Sequence, residues 1–288
     1  ETDKSLVGIT PAMKEGSGMV NFEKEYPERF YDVAIAEQHS VTFAAGLSLE
    51  GLKPVVAIYS TFLQRGYDQF VHDVCLENID VTFAIDRAGI VGEDGPTHTG
   101  SFDISFMRCI PNIVISCPSN EHELWHLLNI CYEYKGPAAI RYPRGSGIGV
   151  QPIPNEVEGF EIGKAKKIKD GQSVCILNFG VLMDQIDQIA EKKDYTLYDM
   201  RFIKPIDQDA LEHAMQHETI ITLEDNTLLG GCGSAIGEKL HKQKFKGNLL
   251  SIGLKDEFPA HGSRNEILRQ NGLDEESIQK TIDNFLRN

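Results

Sequence analysis

The chain has 288 residues, of which 41% are hydrophobic and 25% charged, and a formal net charge of −15. That is the composition of an ordinary soluble globular protein with enough chain for two domains. The acidic surplus argues against nucleic acid or an anionic membrane as a partner, although a few local arginines can still hold a small anion.

No apolar run approaches the roughly 18 residues of a membrane-spanning helix. The six cysteines (75, 109, 117, 131, 175 and 232) form no Cys-x-x-Cys pair. They read as buried free thiols of a reducing compartment, which places the protein in the cytoplasm.

In chain order, LVGIT (6–10), PVVAIYS (54–60), VTFAID (81–86), NIVIS (112–116) and AAIRY (138–142) are short and apolar nearly throughout. Strands of that kind belong to a mostly parallel sheet covered on both faces. Between them the spacing predicts helices. Val41, Ala44, Ala45 and Ser48 set the period in 37–50. Phe62, Tyr67, Phe70, Val71 and Val74 set it in 61–77. In 119–134, Leu124, Leu127, Leu128 and Cys131 form the stripe, with Ser119 as the expected cap. The pair His122 and His126 reads as part of that helix's solvated face.

The Pro- and Gly-rich stretch 141–160 is the expected linker. Beyond it, SVCILNF (173–179), YTLYDM (195–200), TIITLE (219–224) and NLLSIG (248–253) read as further strands. The prediction is α/β: two doubly wound domains, at 1–150 and 151–288. The cluster LLGGCGSAIG (228–237) lacks the Gly-x-Gly-x-x-Gly spacing and reads as a close-packed helix start.

In open α/β sheets ligands gather at the carboxyl ends of the strands. Glu37 follows VAIA, taken as a strand, and opens a helix. It is either an acid placed to suit the helix dipole or a partly desolvated carboxyl poised to share a proton with a ligand nitrogen. The loop 86–100 gathers Asp86, Arg87, Glu93, Asp94 and His98 among glycines after a strand, a composition typical of functional loops. Tyr59, Phe62, Arg65 and Gln69 follow another strand, and Arg141 and Arg144 flank Pro143. Arginines in such a place either clamp a phosphate or sit in solvent.

Taken together, VAIAEQHSVTFAAGL (33–47), STFLQR (60–65), DRAGIVGEDGPTHTG (86–100), YPRG (142–145) and DMRFIKP (199–205) resemble the transketolase group of thiamine-diphosphate enzymes. Within it the closest resemblance is to the 1-deoxy-D-xylulose-5-phosphate synthases. GEDGPTH is common to the group, whereas DRAG with AEQH, STFLQR and YPRG is narrower. The resemblance covers essentially the whole chain. It implies a pyrimidine-binding domain at 1–150 and a transketolase C-terminal domain at 151–288.

It also implies roles. Glu37 matches the acid that bonds the aminopyrimidine of thiamine diphosphate, Ile35 the apolar wedge beneath the cofactor, and Phe62 the stacking aromatic, with Arg65 beside it. Asp94 and His98 match polar groups at the reacting carbon, so that Glu37, His98 and Asp94 are the catalytic set. Tyr59, Arg87 and Arg144 match the phosphate holder. The implied substrates are pyruvate and glyceraldehyde 3-phosphate, joined with loss of CO₂ to give 1-deoxy-D-xylulose 5-phosphate, a precursor of isoprenoids, thiamine and pyridoxal phosphate. The implied assembly is a homodimer.

One departure stands out. The family grips the diphosphate and Mg²⁺ through a Gly-Asp-Gly motif, and none occurs in these 288 residues. The expectation is therefore a chain without metal ligands of its own, a fragment or one half of a split enzyme, inactive without an N-terminal domain. The alternative readings are the C-terminal subunit of a split transketolase and the β-subunit of a 2-oxo-acid dehydrogenase.

Overall fold

The computed structural model describes residues 3–151 and 160–287. Of the expected linker, 152–159 lie outside the described residues. The strands are β1 (Leu6–Thr10), β2 (Phe30–Asp32), β3 (Lys53–Tyr59), β4 (Thr82–Asp86), β5 (Val114–Ser116) and β6 (Ala138–Arg141). They are followed by β7 (Lys166–Lys169), β8 (Val174–Phe179), β9 (Thr196–Asp199), β10 (Phe202–Lys204), β11 (Thr219–Thr227) and β12 (Asn248–Leu254). They build two sheets, in the orders β10-β5-β6-β4-β3-β1-β2 and β12-β11-β8-β9-β7. Pairing is parallel except for β10 against β5 and β7 against β9. Two α/β units with mostly parallel sheets were expected, and the structure has them.

The apolar strands are covered as their composition requires. β4, β5, β6 and β8 are buried at every position. One apolar cluster runs from Ile9 and Phe83 in the first sheet to Leu177, Ile220 and Ile236 in the second half. Burial of this kind stabilises by about 25 cal/mol per Å² of apolar surface, so the shared core holds the two halves in register.

Several local expectations are corrected. VAIA (33–36) is not a strand: β2 ends at Asp32, and Ala34 takes φ 58°. Asp32 Oδ1 accepts from both Ala12 N and Ala34 N at 2.9 Å, which turns the chain off the sheet before Glu37. The single helix expected over 61–77 is a relay of short turns ending in a π-helical stretch, Phe70–Leu76. Its fully buried residues Leu63, Phe70 and Val74 still face the core. The cap of helix Glu121–Glu133 is Asn120, which accepts from Glu123 N. Ser119 instead donates to Asp199 Oδ2 at 2.6 Å. Burial, followed by the charge of Glu123, pushes the Asp199 carboxyl up to about 7. His126 is buried and stacked on Phe160 at 4.4 Å rather than solvated. Cys109 is exposed, whereas the other cysteines are buried and all six are free.

Three strands escape periodicity. β2 and β10 are 3 residues each, too short to show a repeat. β7 reads KKIK, a charged strand at the sheet's edge where lysines discourage further pairing. β10 matters most, because it crosses from the second half into the first sheet. Its Phe202 is fully buried among Val114, Leu127, Ala138 and Ile140.

Candidate active site

Glu37 is the first residue of helix Glu37–Leu49 and is 1% exposed. Its side chain turns inward rather than capping the helix. Arg65 Nη1 donates to Glu37 Oε1 at 3.2 Å, while Oε2 is buried without a hydrogen-bond partner. The approach depends on Gly66, where a Cβ would come within 3.1 Å of the Glu37 carbonyl oxygen. Ile35, two residues earlier, is 73% exposed, an apolar side chain held out into solvent by the irregular segment that follows β2.

The loop after β4 is tightly built. Gly89 and Gly100 pair as an antiparallel bridge, with N–H···O distances of 2.8 and 2.9 Å. A Cβ at Gly100 would collide with the Arg87 carbonyl. Ile90 and Val91 are buried, and Ile90 joins the second half's core. Two 3₁₀ turns, Gly92–Asp94 and Pro96–His98, present Asp94 and His98. The loop expected to be functional is thus closely packed and wedged between the two halves.

The site residues form one strip. Phe62 stacks on Tyr59 with ring centroids 5.9 Å apart and meets the edge of His98 at 5.3 Å. The Arg87 guanidinium lies over the Tyr59 ring at 3.9 Å. Arg87 reaches Asp94 at 3.7 Å, and Arg144 reaches Asp94 at 3.1 Å. Arg144 also pairs with Glu93 at 2.7 Å, and this hydrogen bond holds the Glu93 carboxyl below its usual range. Burial raises the Tyr59 phenol above its ordinary value, with Arg87 opposing. Arg87 is further fixed by Asp86 Oδ2 at 2.6 Å and the Gly16 carbonyl at 2.9 Å. Gly16 has no room for a Cβ, which would collide with the Tyr59 hydroxyl. Burial pushes the Asp86 carboxyl up, with Arg87 pulling it down.

The structure therefore joins Tyr59, Phe62, Arg87, Asp94, His98 and Arg144 in one line of contacts, while Arg65, on the turn that follows Phe62, holds Glu37 at the start of helix Glu37–Leu49. Arg87 and Arg144 also border a cleft of about 800 Å³ between the halves; Glu37 is not among its walls.

Arg141 is no phosphate clamp and no solvated side chain. It is 3% exposed and bridges the halves: Nε donates to Asp103 Oδ2 at 2.8 Å and Nη1 to Asp225 Oδ1 at 2.6 Å. Beside it, Glu224 accepts from Cys232 N and Gly233 N, each at 2.8 Å, at the start of helix Cys232–Lys242. The glycine cluster is thus the close-packed helix start that its spacing suggested. Burial pushes the Glu224 carboxyl up to about 7. Asp86, Glu93 and Arg264 also line the cleft: the first two belong to the loop expected to be functional but carried no individual role, and Arg264 was not singled out. For Asp86, adjacency to Arg87 at a strand end was the available signal.

Among known proteins, residues 1–148 match the model of the transketolase pyrimidine-binding domain and 163–278 that of the transketolase C-terminal domain. A 1-deoxy-D-xylulose-5-phosphate synthase of Idiomarina loihiensis is 54% identical over 286 residues, 99% of this chain and 46% of its own length. One from Hahella chejuensis is 55% identical over 288 residues, 100% of this chain and 45% of its own. The chain thus spans about half the length of the curated relatives it matches. A solved chain described as a split-gene transketolase, an inactive β4 tetramer, superposes with a TM-score of 0.86 at 25% identity, covering 98% of this chain and 92% of that one. A transketolase from Campylobacter jejuni shares the fold with a TM-score of 0.76 at 18% identity, covering 97% of this chain and 43% of its own.

Proposed function

The chain belongs to the transketolase family, its first 148 residues being the pyrimidine-binding domain, and from that premise we propose that it carries the pyrimidine-side half of a 1-deoxy-D-xylulose-5-phosphate synthase site. One observation carries the reading: a buried carboxylate with one oxygen unpartnered and the other held by Arg65, three residues after the aromatic ring that opens a line of contacts to paired arginines.

Thiamine diphosphate fits this wall. Glu37 Oε2 lacks a partner and would bond the ring nitrogen of an aminopyrimidine, Arg65 holds the other oxygen, and Phe62 and the protruding Ile35 offer apolar surface to the cofactor. When bound, thiamine diphosphate would supply the nucleophilic carbon and the electron sink for decarboxylation of pyruvate.

The chain's own groups then have distinct tasks. Glu37 shares a proton at Oε2, where burial strengthens the interaction. Arg65 fixes the orientation of that carboxylate. His98 and Asp94 face the reacting carbon of the substrates. Tyr59, Arg87 and Arg144 hold the phosphate of glyceraldehyde 3-phosphate, a task for which a planar guanidinium is suited by its paired donors. Both arginines already hold carboxylates, so an incoming phosphate shares or displaces Asp94 and Glu93.

The diphosphate and Mg²⁺ would be held by a Gly-Asp-Gly segment beyond these residues, joined to them or supplied as a separate polypeptide. The complete enzyme is proposed to act in the cytoplasm, in keeping with its free cysteines, and as a homodimer. Its substrates would be pyruvate and glyceraldehyde 3-phosphate, with 1-deoxy-D-xylulose 5-phosphate passing to isoprenoid, thiamine and pyridoxal phosphate synthesis.

The acceptor side is tested by Arg144→Gln in the enzyme completed with a Gly-Asp-Gly-bearing domain. The KM for glyceraldehyde 3-phosphate is expected to rise by about tenfold or more, a charge-assisted contact being lost. The KM for unphosphorylated glyceraldehyde should stay within about twofold, given the modest worth of contacts it does not make. Equal rises for both aldehydes would contradict the assignment.

A further inference from the structure

Arg87, Arg144 and Arg264 all line the cleft between the halves. The first two are matched by carboxylates, Asp86 and Asp94 for Arg87, and Glu93 and Asp94 for Arg144. Arg264 is not. Its Nε is buried without a hydrogen-bond partner, and no ion pair of Arg264 is found among the described residues. Asp184, also on the cleft wall, is pushed above its usual range by burial with Arg264 only weakly opposing, and the two form no ion pair among the described residues.

The position is fixed rather than loose. Ser263 and Glu266 close a capping box at the start of helix Arg264–Gln270. Gly92, at φ 66°, lies against the Arg264 backbone: a Cβ there would come within 3.0 Å of Arg264 N. Arg264 is thereby anchored to the turn that carries Glu93 and Asp94. Three further buried polar atoms without a hydrogen-bond partner belong to residues of the same wall: Gln185 Oε1, Glu121 Oε2 and Arg87 Nε. Donors and acceptors left unsatisfied in one cleft are costly unless a ligand completes both. An anion with hydroxyl groups does so.

We propose that Arg264 is a specificity-determining residue of this cleft: it gives the phosphate of a hydroxylated phosphate ester a third cationic contact, supplied by the second half of the chain. The inference rests on the reading of Arg87 and Arg144 as a phosphate holder. It adds that the two halves of the chain must be docked for full affinity. Of the other carboxylates of the cleft, Asp86 and Glu93 are engaged by Arg87 and Arg144, whereas Glu121 accepts from Gly149 N through Oε1 at 2.7 Å and leaves Oε2 without a partner, an acceptor for a ligand hydroxyl.

Titration of the 288-residue chain with inorganic phosphate, followed by ³¹P NMR, tests the idea without any catalytic readout. Wild type should bind saturably. Arg264→Gln should weaken binding roughly tenfold, as expected for one charge-assisted contact, and Arg264→Lys should recover part of the loss. Circular dichroism should show both variants folded, since the side chain lies on the cleft wall and not in the core. Equal affinity of wild type and Arg264→Gln would overturn the inference, as would no saturable binding by wild type. If Arg144→Gln weakens phosphate binding and Arg264→Gln does not, the phosphate holder stands and the role of Arg264 falls.

Discussion

Glu37→Gln in the completed enzyme is expected to cut kcat by about 10²- to 10⁴-fold, the usual worth of a positioned acid–base group. The physical reason is specific to Oε2. A glutamine can still accept from Arg65 through its amide oxygen, but its amide nitrogen cannot hold or return a proton to a ring nitrogen. The fold should be unaffected, because the one hydrogen bond that Glu37's side chain makes within the described residues is the one to Arg65. The thermal midpoint of the variant should therefore match wild type or exceed it, a buried acid having been replaced by a neutral isostere. Near-normal turnover would refute the role. A large drop in thermal midpoint together with lost turnover would mean that Glu37 is structural.

Arg141→Met is expected to destabilise the chain by about 3–5 kcal/mol, the cost of stranding buried charge when one partner of an ion pair is removed. Two carboxylates are left, Asp103 on the first half and Asp225 on the second, both essentially inaccessible to solvent. Burial already pushes the Asp103 carboxyl up against the pull of Arg141. Removing that pull favours the protonated acid, so the variant should lose most stability at neutral and alkaline pH and regain part of it as pH falls. Denaturant midpoints measured at several pH values would show this. Arg141→Lys, which keeps the charge without the forked geometry, should fall between Met and wild type. A loss below about 1 kcal/mol for Arg141→Met, the range of an exposed pair, would show that the triad contributes little to docking the halves.

The same RYPRG motif shows where sequence reasoning stops. Arg141 and Arg144 stand three residues apart and look alike on paper. Arg141 is the last residue of β6 and is buried. Arg144 follows Pro143 and is free to turn toward the cleft. The acids that decide between them, Asp103 and Asp225, are 38 and 84 residues from Arg141. No local pattern carries that information. β10 is the parallel case in the fold: FIK is too short for a period, and its partner β5 lies in the other half of the chain.

By contrast, Glu37 and the 86–100 loop stood out in the sequence, because a polar break in an apolar pattern is a local signal, although the pattern alone left open what Glu37 does. The parallel sheets were legible because strands buried on both faces are apolar at every position. The break at 33–36 was misread for a related reason. VAIA has the composition of a strand, and only the side chain of Asp32, bonded to two backbone N–H groups, turns it off the sheet.

The central claim is that this chain is the pyrimidine-side half of a synthase that condenses pyruvate with glyceraldehyde 3-phosphate. It is tested most directly by joining the chain to the Gly-Asp-Gly-bearing half of a full-length relative, with thiamine diphosphate and Mg²⁺, and following carbon-13 from labelled pyruvate by NMR. Labelled 1-deoxy-D-xylulose 5-phosphate with release of CO₂, and no comparable turnover of ketose phosphate donors, is the expected result. Turnover of ketose donors without any product from pyruvate would contradict the claim and place the chain with the split transketolases.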